Sequence, residues 1–151
     1  MASKKEIIAA LEESHKNMID LLNAIDVEKE VYPGWTIKEV LAHIAGWDEA
    51  AVASVSSFIQ GGTPDVVALN GADAYNAASV AKRKNLSIDE TFANWEKERD
   101  NLIATLSAVP DKQLSDKINF PWGGEGSVAD VGLGLAGHEN HHIKEIKEKL
   151  G

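Results

Sequence analysis

The chain has no cysteine at all. Disulfides, thiolate metal ligands and a cysteine nucleophile are therefore excluded. Any metal it binds must take its ligands from His, Asp, Glu, backbone or water, which favours zinc, nickel, manganese or iron. Basic residues are also short: 15 Lys and Arg stand against 24 Asp and Glu, for a formal charge of −9. Such a balance argues against nucleic acid as a partner, because its phosphates are bound by basic patches. It argues likewise against anionic membrane surfaces. No apolar run approaches the ~20 residues of a membrane span. The first residues, Met1-Ala2-Ser3-Lys4-Lys5-Glu6, pass straight into an amphipathic pattern without the apolar region of a signal peptide. The expectation is a cytoplasmic protein. No segment alternates as a strand would, and there are no internal repeats or low-complexity tracts. No serine sits in a Gly-x-Ser-x-Gly elbow, and no glycine pattern matches a phosphate loop.

What is present is helical. With 151 residues, 44% apolar and 26% charged, the chain has the composition of one ordinary globular domain with room for a substantial core. Four places pair a hydroxyl residue with an acid three positions later: Ser3 with Glu6, Thr36 with Glu39, Ser87 with Glu90, and Ser127 with Asp130. The hydroxyl accepts from an orphan N–H while the acid reaches back and suits the positive helix end. Each pair heads a long periodic segment, so four main helices are expected.

The first helix is expected from Ser3 to Ile25, with Ile7, Leu11, Met18, Leu21, Leu22 and Ile25 as its apolar stripe. His15 lies at the stripe's edge as a rim residue. Val31-Tyr32-Pro33-Gly34 is a turn. The second helix is expected from Thr36 to Gln60, on Val40, Ile44, Trp47, Ala51, Val55 and Phe58; Gly61-Gly62-Thr63-Pro64 stops it. A shorter helix is expected from Asn70 to Lys82, packing through Tyr75, Ala78 and Val80. The third long helix is expected from Ile88 to Ala108, with Phe92, Trp95, Arg99, Leu102, Ile103 and Leu106 in its pattern and Pro110 beyond it. Pro121-Trp122-Gly123-Gly124-Glu125-Gly126 reads as a flexible loop, and the fourth long helix runs from Ser127 to Leu150.

Three of the five histidines fall in His138-Glu139-Asn140-His141-His142, within that last helix. At about 100° per residue, Val131, Leu135, His138, His142 and Ile146 lie within ~80° of one another. His138 and His142 therefore share the core-facing stripe, at the spacing by which two imidazoles grip one transition metal. His141 stands about 60° to the side, towards a rim. His43 falls on one flank of the second helix's stripe. A bundle that makes those two helices neighbours brings His43 to His138 and His142 as a third ligand. The alternative is that each histidine is an ordinary hydrogen-bonded core residue. Trp35, Trp47 and Trp122 sit before or within the histidine-bearing segments. They either pack the core or wall a pocket over the histidines, with His141 at its rim. Trp95 reads as core. Acidic candidates for a general base near the histidines include Asp48 and Glu139, yet their helical directions do not single either out, and most acids read as a solvated face. Gly132, Gly134 and Gly137 each cost about 1 kcal/mol relative to Ala inside a helix. Three so close together point to a close-approaching helix or ligand, or else to local irregularity.

These residues carry a resemblance. Gly34-Trp35-Thr36-Ile37-Lys38-Glu39-Val40-Leu41-Ala42-His43-Ile44, with Trp47 three residues on, and the closing His138-Glu139-Asn140-His141-His142-Ile143 resemble the DinB-like (YfiT-type) superfamily of bacterial four-helix proteins. The stretch from Leu69-Asn70 to Leu86-Ser87-Ile88-Asp89-Glu90-Thr91, and the Pro121-Trp122-Gly123-Gly124 loop, look like its ClbS/DfsB branch. The resemblance implies an all-α four-helix bundle with a short extra helix between the second and third, often a homodimer. It also implies a divalent metal held by three histidines, which fall here on His43, His138 and His142. Relatives include thiol-dependent S-transferases, a maleylpyruvate isomerase and a cyclopropane hydrolase acting on a genotoxin. ClbS departs from the full histidine set, whereas this chain keeps it. Three functions follow as alternatives: a metal-dependent transferase or hydrolase of small molecules, a metal-free ClbS/DfsB-like resistance or binding protein, and a non-enzymatic dimeric bundle.

Overall fold

The computed structural model describes residues 2–151. Its elements are α1 (Lys4–Leu22), α2 (Ile37–Ile59), α3 (Ala72–Lys82), α4 (Ile88–Ser107), a 3₁₀ turn at Asp111–Gln113, β1 (Lys117–Asn119), β2 (Glu125–Ser127) and α5 (Val128–Leu150). The long helices α1, α2, α4 and α5 form the bundle, with α2 laid along α4 and α1 along α5. The short α3 rests on α2.

All four expected helix starts are in place. At Ser3, Ser87 and Ser127 the hydroxyl accepts from the backbone N–H of Glu6, Glu90 and Asp130, each at 3.1 Å. At Thr36 the Glu39 carboxylate takes both the backbone N–H, at 2.9 Å, and the hydroxyl, at 2.8 Å. Each such cap is worth about 1 kcal/mol because it satisfies a donor that the helix itself cannot.

Three local expectations are corrected. The first helix ends at Leu22 rather than Ile25, where Asn23 caps it and the chain turns. The short helix begins at Ala72, because Gly71, at φ +95°, supplies a conformation that breaks the helix ahead of it. It packs through Ser79 and half-buried Tyr75 and Val80, while Ala78 faces solvent. Ser79 fits because Gly46 on α2 has no side chain: a Cβ there would run into the Ser79 side chain. Residues 121–126 are no free loop. They close a two-stranded antiparallel hairpin in which Lys117 pairs with Ser127 and Asn119 with Glu125. Strands of three residues are too short for alternation to register in a sequence.

The core has two apolar parts. One gathers Ile7, Leu11, Ala51, Leu102, Leu106 and Leu135; the other gathers Met18, Leu41, Ile44, Trp95, Ile143 and Ile146. Between them lies a polar layer built from all four long helices. Arg99 (α4) donates from Nε to Asp48 (α2) at 2.8 Å and from Nη1 to Glu139 (α5) at 2.8 Å. Nη1 also donates to the Leu11 carbonyl of α1 at 3.1 Å. Ser14 of α1 donates to Glu139 at 2.7 Å, and the Trp95 indole donates to the other Glu139 oxygen at 3.0 Å. Asp48 and Glu139 are fully buried. They belong neither to a solvated face nor to a catalytic pair. Burial opposes charge on Arg99, but the two carboxylates outweigh it and raise its pKa, so the guanidinium stays ionised.

Of the three helical glycines, Gly132 is the site of close approach. A Cβ there would lie 2.6 Å from Ile7 Cγ2 and 3.0 Å from Leu106 Cδ1. Nothing lies within 4 Å of the equivalent atom on Gly137. Two outcomes follow, both read by chemical denaturation. Gly132→Ala should destabilise the protein by about 1–3 kcal/mol through overpacking, whereas Gly137→Ala should leave it unchanged or stabilise it by up to ~1 kcal/mol. Arg99→Met, which strands two buried carboxylates, should cost about 3–5 kcal/mol at neutral pH.

Candidate metal centre

Helices α2 and α5 cross where the histidines lie. His43 Nε2 is 2.9 Å from His138 Nε2 and 3.1 Å from His142 Nε2, and the last two are 3.0 Å apart. The helical pattern explains the pair on α5, since residues four apart stack on one face. His43 reaches them from the flank of the α2 stripe. Three ring nitrogens thus converge on one point. His43 and His142 are buried and His138 is half-buried.

Three nitrogens this close cannot all carry protons, because N–H groups would then face one another. Burial, the largest cause, lowers the pKa of His43 and His142 to about 4. For His138 burial, followed by the charges of His142 and His43, brings it to about 3. The imidazoles are therefore neutral at physiological pH, which is the form that ligates metal. A triangle with sides near 3 Å admits one ion at the usual ~2.1 Å from each nitrogen. The donor set fits the divalent metals expected of a cysteine-free site.

The outer nitrogens differ. His142 Nδ1 lies 2.8 Å from the Tyr32 hydroxyl, and that hydroxyl lies 2.6 Å from Glu145 Oε1. Nδ1 of His43 and Nδ1 of His138 have no hydrogen-bond partner. The Tyr32 phenol is raised above its usual range, by burial and then by Glu145. Tyr32 is held by the turn before α2: Val31 N–H donates to the Trp35 carbonyl and Trp35 N–H to the Tyr32 carbonyl, each at 2.8 Å. Gly34, at φ +79°, permits the reversal. Sequence reasoning marked this turn as punctuation and missed Tyr32 as part of the site. Its only sequence signal was a tyrosine four residues ahead of a helix start.

A cavity of about 440 Å³ opens onto the three histidines, walled by Trp47, Trp122, Leu135 and Gly134, with Asn76 and His141 as its other polar groups. Trp122 is carried there by the hairpin and stacks on Phe120 with ring centres 4.9 Å apart. Gly134 makes room for it, since a Cβ there would touch the indole at 3.5 Å. Trp47 donates to Asn76 at 2.7 Å. The carbonyl of Pro121 accepts from both Val67, at 2.9 Å, and Ala68, at 3.2 Å, joining the chain before α3 to the hairpin. His141 lies at the rim, largely exposed, and pairs with Glu145 at 3.0 Å. Trp35 lies on the other side of His43, ring centres 5.3 Å apart, in a smaller hollow shared with Tyr32 and Glu145. Trp95 is core, and half-buried His15 stacks on it at 3.8 Å, away from the site.

The family model of the DinB superfamily matches residues 10–146. No curated protein matches the chain by sequence. Among solved structures, mycothiol-dependent maleylpyruvate isomerase superposes with a TM-score of 0.76 at 15% identity, over 96% of this chain and 63% of the isomerase. This chain thus spans less than two thirds of that protein's length. The colibactin self-resistance protein ClbS, solved in complex with double-stranded DNA, superposes with a TM-score of 0.78 at 12% identity, over 98% of this chain and 95% of ClbS. A Streptococcus pneumoniae protein superposes with a TM-score of 0.73 at 16% identity, over 98% of this chain and 92% of its own. At these identities the likeness is one of fold. No helix among the described residues is long and apolar enough to cross a membrane.

The lowered histidine pKa values set a pH dependence. Between pH 6.5 and about 4 the unfolded chain protonates at His15, His43, His138 and His142 while the folded chain resists. The unfolded state then binds more protons, so stability falls as pH falls through that window, by up to ~1.4 kcal/mol per pH unit per proton. Asp48 and Glu98 act in the opposite sense, because burial raises the pKa of both, that of Asp48 to about 6. The four histidines outweigh the two acids. Metal-free protein should lose stability steadily from pH 6.5 to 4 in urea titrations, and a flat profile would contradict the neutral, buried imidazoles.

Proposed function

The chain belongs to the DinB superfamily, and from that membership and the three converging imidazoles we propose that it is a metal-dependent enzyme acting on small molecules, by transfer to a thiol or by hydrolysis. The observation that carries this reading is the set of three Nε2 atoms within 2.9–3.1 Å of one another beneath a tryptophan-walled cavity. His43, His138 and His142 would hold the ion. A divalent ion so held supplies Lewis acidity, which brings the pKa of a water or thiol towards neutrality. The residues around it do the rest. Trp47, Trp122 and Leu135 enclose an apolar body and keep bulk water from it. Asn76, which accepts from Trp47, places an amide in the cavity wall where it can orient a polar group. His141, at the rim and paired with Glu145, can take up or release a proton at its ring. No Lys or Arg lines the cavity, so the reading favours a neutral, flat or aromatic substrate over a polyanion. The mycothiol dependence of the isomerase with this fold lends support to a thiol co-substrate.

The near full-length likeness to ClbS favours a second reading, a metal-free protein that binds or opens a reactive small molecule in the same cavity. Metal analysis of protein purified without a histidine tag separates the two. One equivalent of zinc, nickel, manganese or iron is expected, and it should be lost in the His138→Ala, His142→Ala double variant. A metal-free preparation that takes up none on titration, yet quenches its tryptophan fluorescence with an apolar electrophile, would transfer the function to the second reading.

A further inference from the structure

We infer that Tyr32 is the positioning residue of the histidine centre: held by Glu145, its hydroxyl fixes the ring tautomer in which His142 presents an unprotonated Nε2 to His43 and His138. The inference rests on the metal reading above only for its consequence, not for its geometry.

The number of protons available fixes the tautomer. A phenol has a single proton to donate, and a carboxylate only accepts. The Tyr32–Glu145 contact, at 2.6 Å, has the length of a charge-assisted O–H···O⁻ bond, so the Tyr32 proton points at Glu145. The phenol oxygen is then left as an acceptor towards His142 Nδ1, 2.8 Å away. That nitrogen must therefore carry the proton of the neutral ring, and Nε2 must carry the lone pair. Nε2 is the atom facing the other two histidines, at 3.0 and 3.1 Å.

Among the three imidazoles this arrangement is peculiar to His142, because Nδ1 of His43 and Nδ1 of His138 have no hydrogen-bond partner. The device is also rigid. Tyr32 is pinned by the backbone bonds of the turn around Gly34, and its ring meets the His142 ring edge-on at 76°. Glu145 lies on the same helix as His142, three residues on, and also holds His141. Such an outer partner raises the ligand's basicity and saves the cost of choosing a tautomer on binding.

The test uses the full-length chain and its Tyr32→Phe and Glu145→Gln variants, with zinc ion alone as the probe. Competition against a chromophoric chelator should show zinc affinity lower by ~10–100-fold in Tyr32→Phe and by less in Glu145→Gln, whose amide oxygen still accepts. Long-range ¹⁵N–¹H spectra of the histidine rings should show His142 wholly in the Nδ1–H form in the parent, without metal, and as a mixture in Tyr32→Phe. A merely structural tyrosine would move neither reading. Glu145 is half-buried and Gln matches its size and shape, so a misfolded Tyr32→Phe does not remove the test. Parent-like zinc affinity together with an unshifted His142 tautomer in Tyr32→Phe would overturn the inference. A parent that binds no zinc yet shows the fixed tautomer, lost in Tyr32→Phe, would remove the metal reading and leave the inference standing.

Discussion

Arg99 is the residue that holds the interior together. Its guanidinium bonds Asp48 on α2, Glu139 on α5 and the Leu11 carbonyl on α1, and so ties its own helix to the other three. Apolar packing alone tolerates sliding, because one methyl group serves much like another. A fully buried ion pair does not, since every displaced bond leaves a charge without a partner in low dielectric. This layer therefore sets the rotation and height of each helix. The site inherits that setting. Asp48 is five residues beyond His43 on α2, and Glu139 directly follows His138 on α5. Clamping both acids to one guanidinium places the two histidine-bearing helices against each other.

The fold was legible because its signals are local and repeated. Four capping pairs and four stripes of apolar residues told the number and extent of the long helices. The site was legible in part for the same reason: the four-residue spacing of His138 and His142 set them apart from His141. That His43 would meet them rested on helix adjacency and on family resemblance, neither of which periodicity supplies. The polar layer was not legible. Arg99 stood in the third helix's pattern, but nothing along the chain said that Asp48 and Glu139 would both turn to it. Their helical angles placed them no better than many other acids here. Partnerships between residues forty or more positions apart exist only once the helices have packed.

The same limit hid Tyr32. A tyrosine in a Pro-Gly turn is an unremarkable feature of a connection, and its importance arises from a turn on one side of the bundle meeting a helix from the far end of the chain. The hairpin escaped notice for a different reason. Its strands are three residues each, and its glycines, Gly123 at φ +105° and Gly124 at φ +82°, announce a reversal without saying what the flanks do.

The carbonyl of Pro121 accepts from both Val67 and Ala68. The two sides of the cavity mouth, one leading into α3 with Asn76 and the other carrying Trp122, are thus stitched at the backbone, although more than fifty residues separate them. They form a single frame rather than two independent flaps. A shift of either wall is therefore carried to the other through one shared joint, which lies away from the histidines.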